Sequence, residues 1–139
     1  MSADIEVLTH LINELKGSAA LTALLTTYAS SPAVFTHVPQ DLTTYPYVTI
    51  YGIELNNEDT DATEAFTGVV NIHSWTDQRD MAVIGDIKSA IYSTLHRTSA
   101  DITGYCITEM NQEFQTTLRD PDGITLHGVQ RFKIMLSTL

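Results

Sequence analysis

Apolar residues recur at helical spacing in two stretches of the chain, and each stretch predicts an amphipathic helix. The first helix starts after Ser2, a favourable N-cap, and ends at Gly17. The second covers about residues 79–96, with Thr76 or Asp77 as its cap. The two apolar stripes consist of Ile5, Leu8, Leu11, Ile12 and Leu15, and of Ile84, Ile87, Ile91 and Leu95.

Alternating apolar and polar residues predict strands in most of the remaining chain. Residues 46–55 are apolar on both faces, which favours a place in the middle of a sheet or at an interface. A second strand covers residues 66–75, and a final pair covers residues 105–118 and 124–136. Tyr47, Thr49, Tyr51 and Ile53 are expected on one face of the first strand, and Phe132, Ile134 and Leu136 on the apolar face of the last.

The last two predicted strands are joined by the tetrapeptide Asp-Pro-Asp-Gly at 120–123. Pro121 presets φ for the first corner of a turn, and Asp122 tolerates the next position. Gly123 supplies the positive φ that closes it. The segment therefore predicts a hairpin.

The order of these elements predicts an α+β fold. Strands that follow one another in hairpins, with two main helices, indicate an antiparallel sheet of about four to five strands with both helices packed on one side. There is no regular alternation of strand and helix, so a doubly wound parallel sheet is not expected. We expect a single domain over residues 1–139.

Composition narrows the possible functions. The net charge is −10, and the seven Lys and Arg residues are scattered, whereas a DNA-binding protein needs clustered basic residues. We therefore expect no specific nucleic-acid binding. The single cysteine, Cys106, excludes an internal disulfide, and its default interpretation is a buried structural thiol. No signal peptide or membrane span is expected.

No segment of the sequence carries a recognisable catalytic motif, so we expect no enzyme, no cofactor and no metal. The five histidines do not have metal-ligand spacing with one another or with Cys106. An acidic loop at 56–64 lacks the alternating acids, central glycine and final glutamate of a calcium loop, which favours a solvated or interface loop over a cation site. Trp75 could form an aromatic surface with Tyr45, Tyr47 and Tyr51. Core packing is the default interpretation for Trp75 and for the face with Val48 and Ile50, and a subunit interface is the alternative.

Four segments, in order, carry a resemblance to a known family. The first is the N-terminal helix with residues 19–25, and the second is Val-Pro at 38–39 leading to Tyr-Pro-Tyr-Val-Thr-Ile at 45–50. The third is the strand 69–75, which ends in Ser-Trp where the family has Trp-Ser. The fourth and most specific is Arg-Asp-Pro-Asp-Gly at 119–123 leading to His-Gly-Val-Gln-Arg-Phe at 127–132. Together they resemble the tail-completion, or tail-terminator, proteins of long-tailed bacteriophages.

The resemblance implies a structural virion protein without enzymatic activity. Members of that family form a ring, commonly hexameric, at the head-proximal end of the tail tube. The ring stops tube polymerisation and meets the head-completion, or stopper, proteins, and genomic DNA passes through it without specific binding. The implied partners are therefore other copies of the chain, the tail-tube protein and the head-completion protein. The implied location is the virion tail, after assembly in the host cytoplasm from subunits that can be monomers beforehand.

Two segments are the candidate assembly elements, since long polar loops offer ready contacts. Glu58, Asp59, Asp61 and Glu64 form an acidic interface or lumen loop. Arg119, Asp120 and Asp122 are candidate contacts at the hairpin turn, whose geometry depends on Pro121 and Gly123. Two other interpretations remain open: a head-closure or adaptor protein of the phage neck, and a small ligand-binding or enzymatic domain.

Overall fold

The computed structural model describes residues 2–139, which form three helices, one large sheet and one small sheet. The helices are α1 (Ala3–Lys16), α2 (Ala19–Thr22) and α3 (Met81–Leu95). The strands are β1 (Thr27–Tyr28), β2 (Ser31–Pro32), β3 (Val34–Phe35), β4 (Tyr47–Asn57), β5 (Ala65–Thr76), β6 (Ala100–Ile102), β7 (Tyr105–Arg119) and β8 (Leu126–Thr138).

The large sheet has six strands in the order β3-β4-β5-β8-β7-β6, and β1 pairs with β2 in a separate hairpin. The α+β class is confirmed, but the prediction of four to five strands in an antiparallel sheet is wrong in two details. The sheet has six strands, and β3 runs parallel to β4. The outer strands β3 and β6 have two and three residues, which is too short for an alternating pattern to show in the sequence.

The helices α1 and α3 pack on one face of the large sheet and share a single core with it. Val7, Leu11 and Leu15 of α1 are buried, as are Phe132 and Ile134 of β8. The predicted stripe of α3 is confirmed, because all four of its residues are buried. No helix lies over the other face among the described residues, and we call that side the open face.

The helices differ from the prediction at two points, the buried stripe of α1 and the cap of α3. Ile5 is 55% exposed, because the buried stripe of α1 follows Ala3, Val7, Leu11 and Leu15. The cap of α3 is Asp80, whose carboxylate accepts a hydrogen bond from the N–H of Ala82 at 2.9 Å. Sequence alone could not choose among the acidic and hydroxyl residues before this helix, since each can cap.

A β-bulge in β4 overturns the predicted faces of that strand. The pairing with β5 shifts between Ile50 and Ile53, and Gly52 adopts a φ of 79° there. Because β4 advances three residues there while β5 advances two, one extra residue enters the strand, and Ile53 and Leu55 face the core with Val48 and Ile50. Tyr51 is left 69% exposed.

Candidate assembly surface

The hairpin turn between β7 and β8 is held by the carboxylate of Asp122. Its Oδ1 accepts hydrogen bonds from the N–H groups of Ile124 and Thr125 at 2.8 and 2.9 Å, and its Oδ2 accepts one from the Thr125 hydroxyl at 2.7 Å. These bonds, the two from Thr125 and the one from Ile124, hold the pKa of Asp122 below its ordinary value. Gly123 has a φ of 73° and donates to the carbonyl of Asp120 at 2.9 Å. The predicted turn is confirmed.

The atoms that this turn leaves free for contacts are not those of Asp122. Both oxygens of Asp122 are occupied within the turn, whereas the side chain of Arg119 is exposed. Ile124, next to the turn, is 45% exposed. The candidate contact at this tip therefore consists of Arg119, the half-buried Asp120 and an apolar side chain that the sequence did not single out.

The acidic loop is a tight connection between β4 and β5. It spans residues 58–64, since Asn56 and Asn57 belong to β4. The N–H of Glu58 donates to the carbonyl of Ala65 at 2.7 Å, and the carboxylate of Asp59 accepts from the N–H of Ala65 at 3.1 Å. All four acidic side chains, Glu58, Asp59, Asp61 and Glu64, are exposed.

The structure does not bring the two candidate loops together. Strands β5 and β8 pair without interruption from Ala65 opposite Ser137 to Thr76 opposite Leu126. The acidic loop lies beyond the end of the ladder at Ala65, and the hairpin turn lies beyond the end at Leu126. Eleven steps of about 3.3 Å separate the loops by roughly 36 Å.

Aromatic rings cover the open face at the end of the sheet near the hairpin turn. Trp75 stacks on His127, with ring centroids 3.7 Å apart, and Tyr47 stacks on Trp75 at 6.1 Å. His73 follows beside His127, and its Nδ1 shares a hydrogen bond with the Nε2 of His127. These side chains line a groove of about 500 Å³ together with Thr36, His37, Val38, Thr49 and Tyr51.

Sequence reasoning missed the pairing of His73 with His127. The two residues are 54 positions apart in the chain, His73 on β5 and His127 on β8. The register between these strands and the alternation of side chains put their odd-numbered residues on one face. The missing information was that β5 and β8 are neighbours. Trp75 is half-buried on this face and is not a core residue.

The surroundings of His73 and His127 favour the uncharged form of both rings, because the pKa of each is lowered. Burial lowers the pKa of His73, and the neighbouring His127 lowers it further. Burial also lowers the pKa of His127, although nearby Asp120 partly opposes this shift. No group of three or more His, Cys, Asp or Glu side chains within residues 2–139 is placed to hold a metal ion.

Acidification should weaken the fold through this pair. The unfolded chain has histidine pKa values of about 6.5, so below that pH it binds more protons than the folded state does. Stability is therefore complete above about pH 6.5, falls as the pH drops toward the lowered folded-state pKa values, and then levels off. Thermal unfolding midpoints between about pH 7.5 and pH 5.5 measure this effect. A His73→Gln/His127→Gln variant should show a flatter dependence than the unmodified protein; equal slopes in the two proteins would contradict the assignment.

Two further side chains make contacts that the sequence interpretation did not include. Arg131 lies over the ring of Phe114, 5.3 Å from its centroid, and its Nε donates to Asn71 at 3.4 Å. Cys106 is half-buried, and a hydrogen bond with Asp101 raises the pKa of its thiol. No helix in the described part of the chain is long and apolar enough to cross a membrane.

Comparison with known proteins identifies the family. The fold is similar to that of a chain in the virion of the native gene transfer agent particle, with a TM-score of 0.80, 15% sequence identity and 91% of each chain covered. No curated protein matches the sequence. The family model described as "Tail completion protein gp17" matches residues 9–137, which include the hairpin turn, the acidic loop and the open face. The chain therefore belongs to the tail completion protein gp17 family.

Proposed function

We propose that the protein forms a ring, commonly of six copies in the family it resembles, at the head-proximal end of the tail tube. In this position it terminates tube polymerisation and joins the tail to the head-completion protein. The chain acts as one tail-terminator-like domain over residues 1–139 and performs no catalysis. The observation that carries the proposal is the family match over residues 9–137.

Two features of the fold support this role. A structural protein between tube and head needs separate contact surfaces for its partners, and the two loops lie at opposite ends of the ladder between β5 and β8. A ring also needs two different complementary patches on each subunit. The open face adds exposed apolar side chains, with Phe114 and Leu118 46% and 50% exposed. Such side chains are typical of a surface that another protein covers.

The mass of the purified protein, measured by light scattering alone and then with the tail-tube protein, tests the proposal. The expected result is a ring-sized species, or capped tubes that stop growing. A protein that stays monomeric and leaves tube length unchanged would contradict tube termination. It would favour the second candidate, a head-closure or adaptor protein of the phage neck, whose test is binding to the head-completion protein in place of the tube.

Reversing the charge of the acidic loop should slow DNA ejection. If the loop faces the channel, its carboxylates repel DNA phosphates and let the genome slide. Asp59 is best retained, because its carboxylate holds the N–H of Ala65. The test variant is therefore Glu58→Lys/Asp61→Lys/Glu64→Lys, measured as the ejection rate of assembled particles.

A matched control changes the same total charge elsewhere. Glu14, Asp77 and Asp86 are exposed and lie outside this loop, so their replacement by lysine should leave ejection unchanged. Unchanged ejection and infectivity in the loop variant would refute the channel-facing position. Equal slowing in both variants would show an effect of net charge alone.

A further inference from the structure

Strand β4 has an open edge over its second half. On that side β4 pairs with β3, through Val48 and Thr49. Residues 50–57 therefore have no strand partner there within the described part of the chain. Tyr51, Glu54 and Asn56 are exposed along this stretch. Unpaired backbone N–H and C=O groups of this kind are a template for another strand.

Strand β7 has an open edge over the opposite half. Its outer neighbour β6 pairs only with Tyr105, Cys106 and Ile107. Beyond these residues, the N–H of Arg97 donates to the carbonyl of Met110 at 2.8 Å, and the N–H of Gln112 donates to Nδ1 of His96 at 3.0 Å. From residue 113 to 119 no strand covers the edge among residues 2–139.

We propose that neighbouring subunits join by pairing the open edge of β4 in one copy with the open edge of β7 in the next. This inference rests on the proposed ring. Three antiparallel pairings separate β4 from β7, so the two strands run in opposite directions in each subunit. Copies related by rotation about one axis keep the same orientation, and their β4 and β7 edges therefore meet antiparallel. Each added copy repeats the contact, and closing the ring leaves no open edge.

The faces of the two strands match when the centres of the open segments are aligned. Glu54 then lies opposite Thr116 on the open face, and Leu55 lies opposite Gln115 on the helix side. Shifting the pairing by two residues also keeps the faces matched, whereas a shift of one residue exchanges them. The β7 edge of the next copy can therefore pair with β4 only in registers that differ by two residues.

The two open segments are staggered along the sheet, and the stagger has the size that a closed sheet requires. Glu54 pairs with Val69, and Thr116 is level with His73, four positions further along β5. Four positions correspond to about 13 Å, and the four strand spacings from one β4 to the next correspond to about 19 Å. For all copies to lie at the same height along the ring axis, the strands must tilt by about 35° from that axis. This tilt is within the usual range for closed β-sheets.

The helix sides of the two edges carry complementary charges. Beside β7, Lys88 donates to the Thr117 hydroxyl at 2.7 Å and lines a polar groove with Gln112 and Gln115. Beside β4, Asp4 lines a depression with Ile53 and Leu55. In the aligned register Ile53 faces Thr117, so the lysine of one copy approaches the aspartate of the next.

Disulfide trapping tests the pairing directly. On a Cys106→Ser background, Glu54→Cys combined with Thr116→Cys puts the two thiols on opposite edges of one chain. Two strands, β5 and β8, lie between them there, which puts the thiols beyond disulfide reach, so any bond must form between copies. With the tail-tube protein present, oxidation should produce a ladder of covalent oligomers on a denaturing gel. Phe114→Cys and Leu118→Cys in place of Thr116→Cys report the same pairing shifted by two residues.

The control partner is Glu109→Cys, which lies on the same face of β7 where the segment at 96–97 covers the edge. Combined with Glu54→Cys it should give no cross-link, and neither should Glu54→Cys alone. Cross-links from either control, or rings that assemble without any cross-link at positions 114, 116 or 118, would overturn the edge pairing and leave the proposed function standing. Absence of any assembly on the tube would overturn both.

Hydrogen exchange gives a second measurement on the unmodified protein. Amides in residues 50–57 and 113–119 should become protected when the protein joins the tube, since they gain hydrogen bonds to the neighbouring copy. Assembly with protection confined to the two loops would contradict the inference.

Discussion

Replacing Gly68 with alanine should destabilise the protein by about 3 kcal/mol or more. A Cβ at this position would lie 1.8 Å from the carbonyl oxygen of Glu54 and 2.8 Å from its carbonyl carbon. These are backbone atoms of β4, so no side chain can rotate away, and the strand itself must move. Chemical denaturation measures the change as a lower midpoint, and loss of the contact between β4 and β5 should also expose Trp75 to solvent.

Gly85 offers the matched control for this change. It lies on the exposed side of α3, and an added Cβ meets no atom within 4 Å. Gly85→Ala should therefore stabilise the protein by up to about 1 kcal/mol, because alanine is the better helix former. A Gly68→Ala protein as stable as the unmodified one would show that β4 does not approach β5 as closely as described.

Replacing Phe132 with alanine should cost about 3–5 kcal/mol. Phe132 is fully buried in the centre of β8 and is the largest side chain of the core. Its removal leaves a cavity in the core that the sheet shares with the helices, which a strand paired on both sides cannot close. Since domains of this kind are stable by about 5–15 kcal/mol, the variant should lose a large part of its stability.

Phe114 on the neighbouring strand is the control for the Phe132 prediction. It is 46% exposed and contacts Arg131, so Phe114→Ala should cost no more than about 1 kcal/mol. If the two alanine variants unfold at similar denaturant concentrations, the assignment of the core to this face of β8 is wrong.

The parts of the fold predicted from sequence are those that local chemistry determines. The hairpin between β7 and β8 follows from Pro121, Asp122 and Gly123, and the α3 stripe follows from four isoleucine and leucine positions. The bulge at Gly52 was not predictable, because a glycine within an alternating strand can mark a bulge, a tight bend or the close approach of another backbone. The pairing of β3 with β4 depends on contacts between two residues of each strand, which leave no periodic signal.

The candidate site was predictable to a similar extent. Exposed loops with many acidic residues can be recognised from sequence, and all four carboxylates of the acidic loop are exposed in the structure. The aromatic and histidine cluster was not recognisable as a unit, since it combines β4, β5 and β8 and depends on their order in the sheet. The open edges could not be found without knowing where β3 and β6 stop.

The uninterrupted ladder between β5 and β8 has a mechanical consequence. Its twelve residue pairs contain no bulge, so the two strands connect the acidic loop to the hairpin turn as one rigid element. We expect a contact at one loop to move the other loop by rigid-body movement, without a change in the conformation of the subunit. In the proposed ring, we therefore expect a signal between the two ends of a subunit to travel through movement of whole subunits relative to one another, and not through a change in the shape of any one of them.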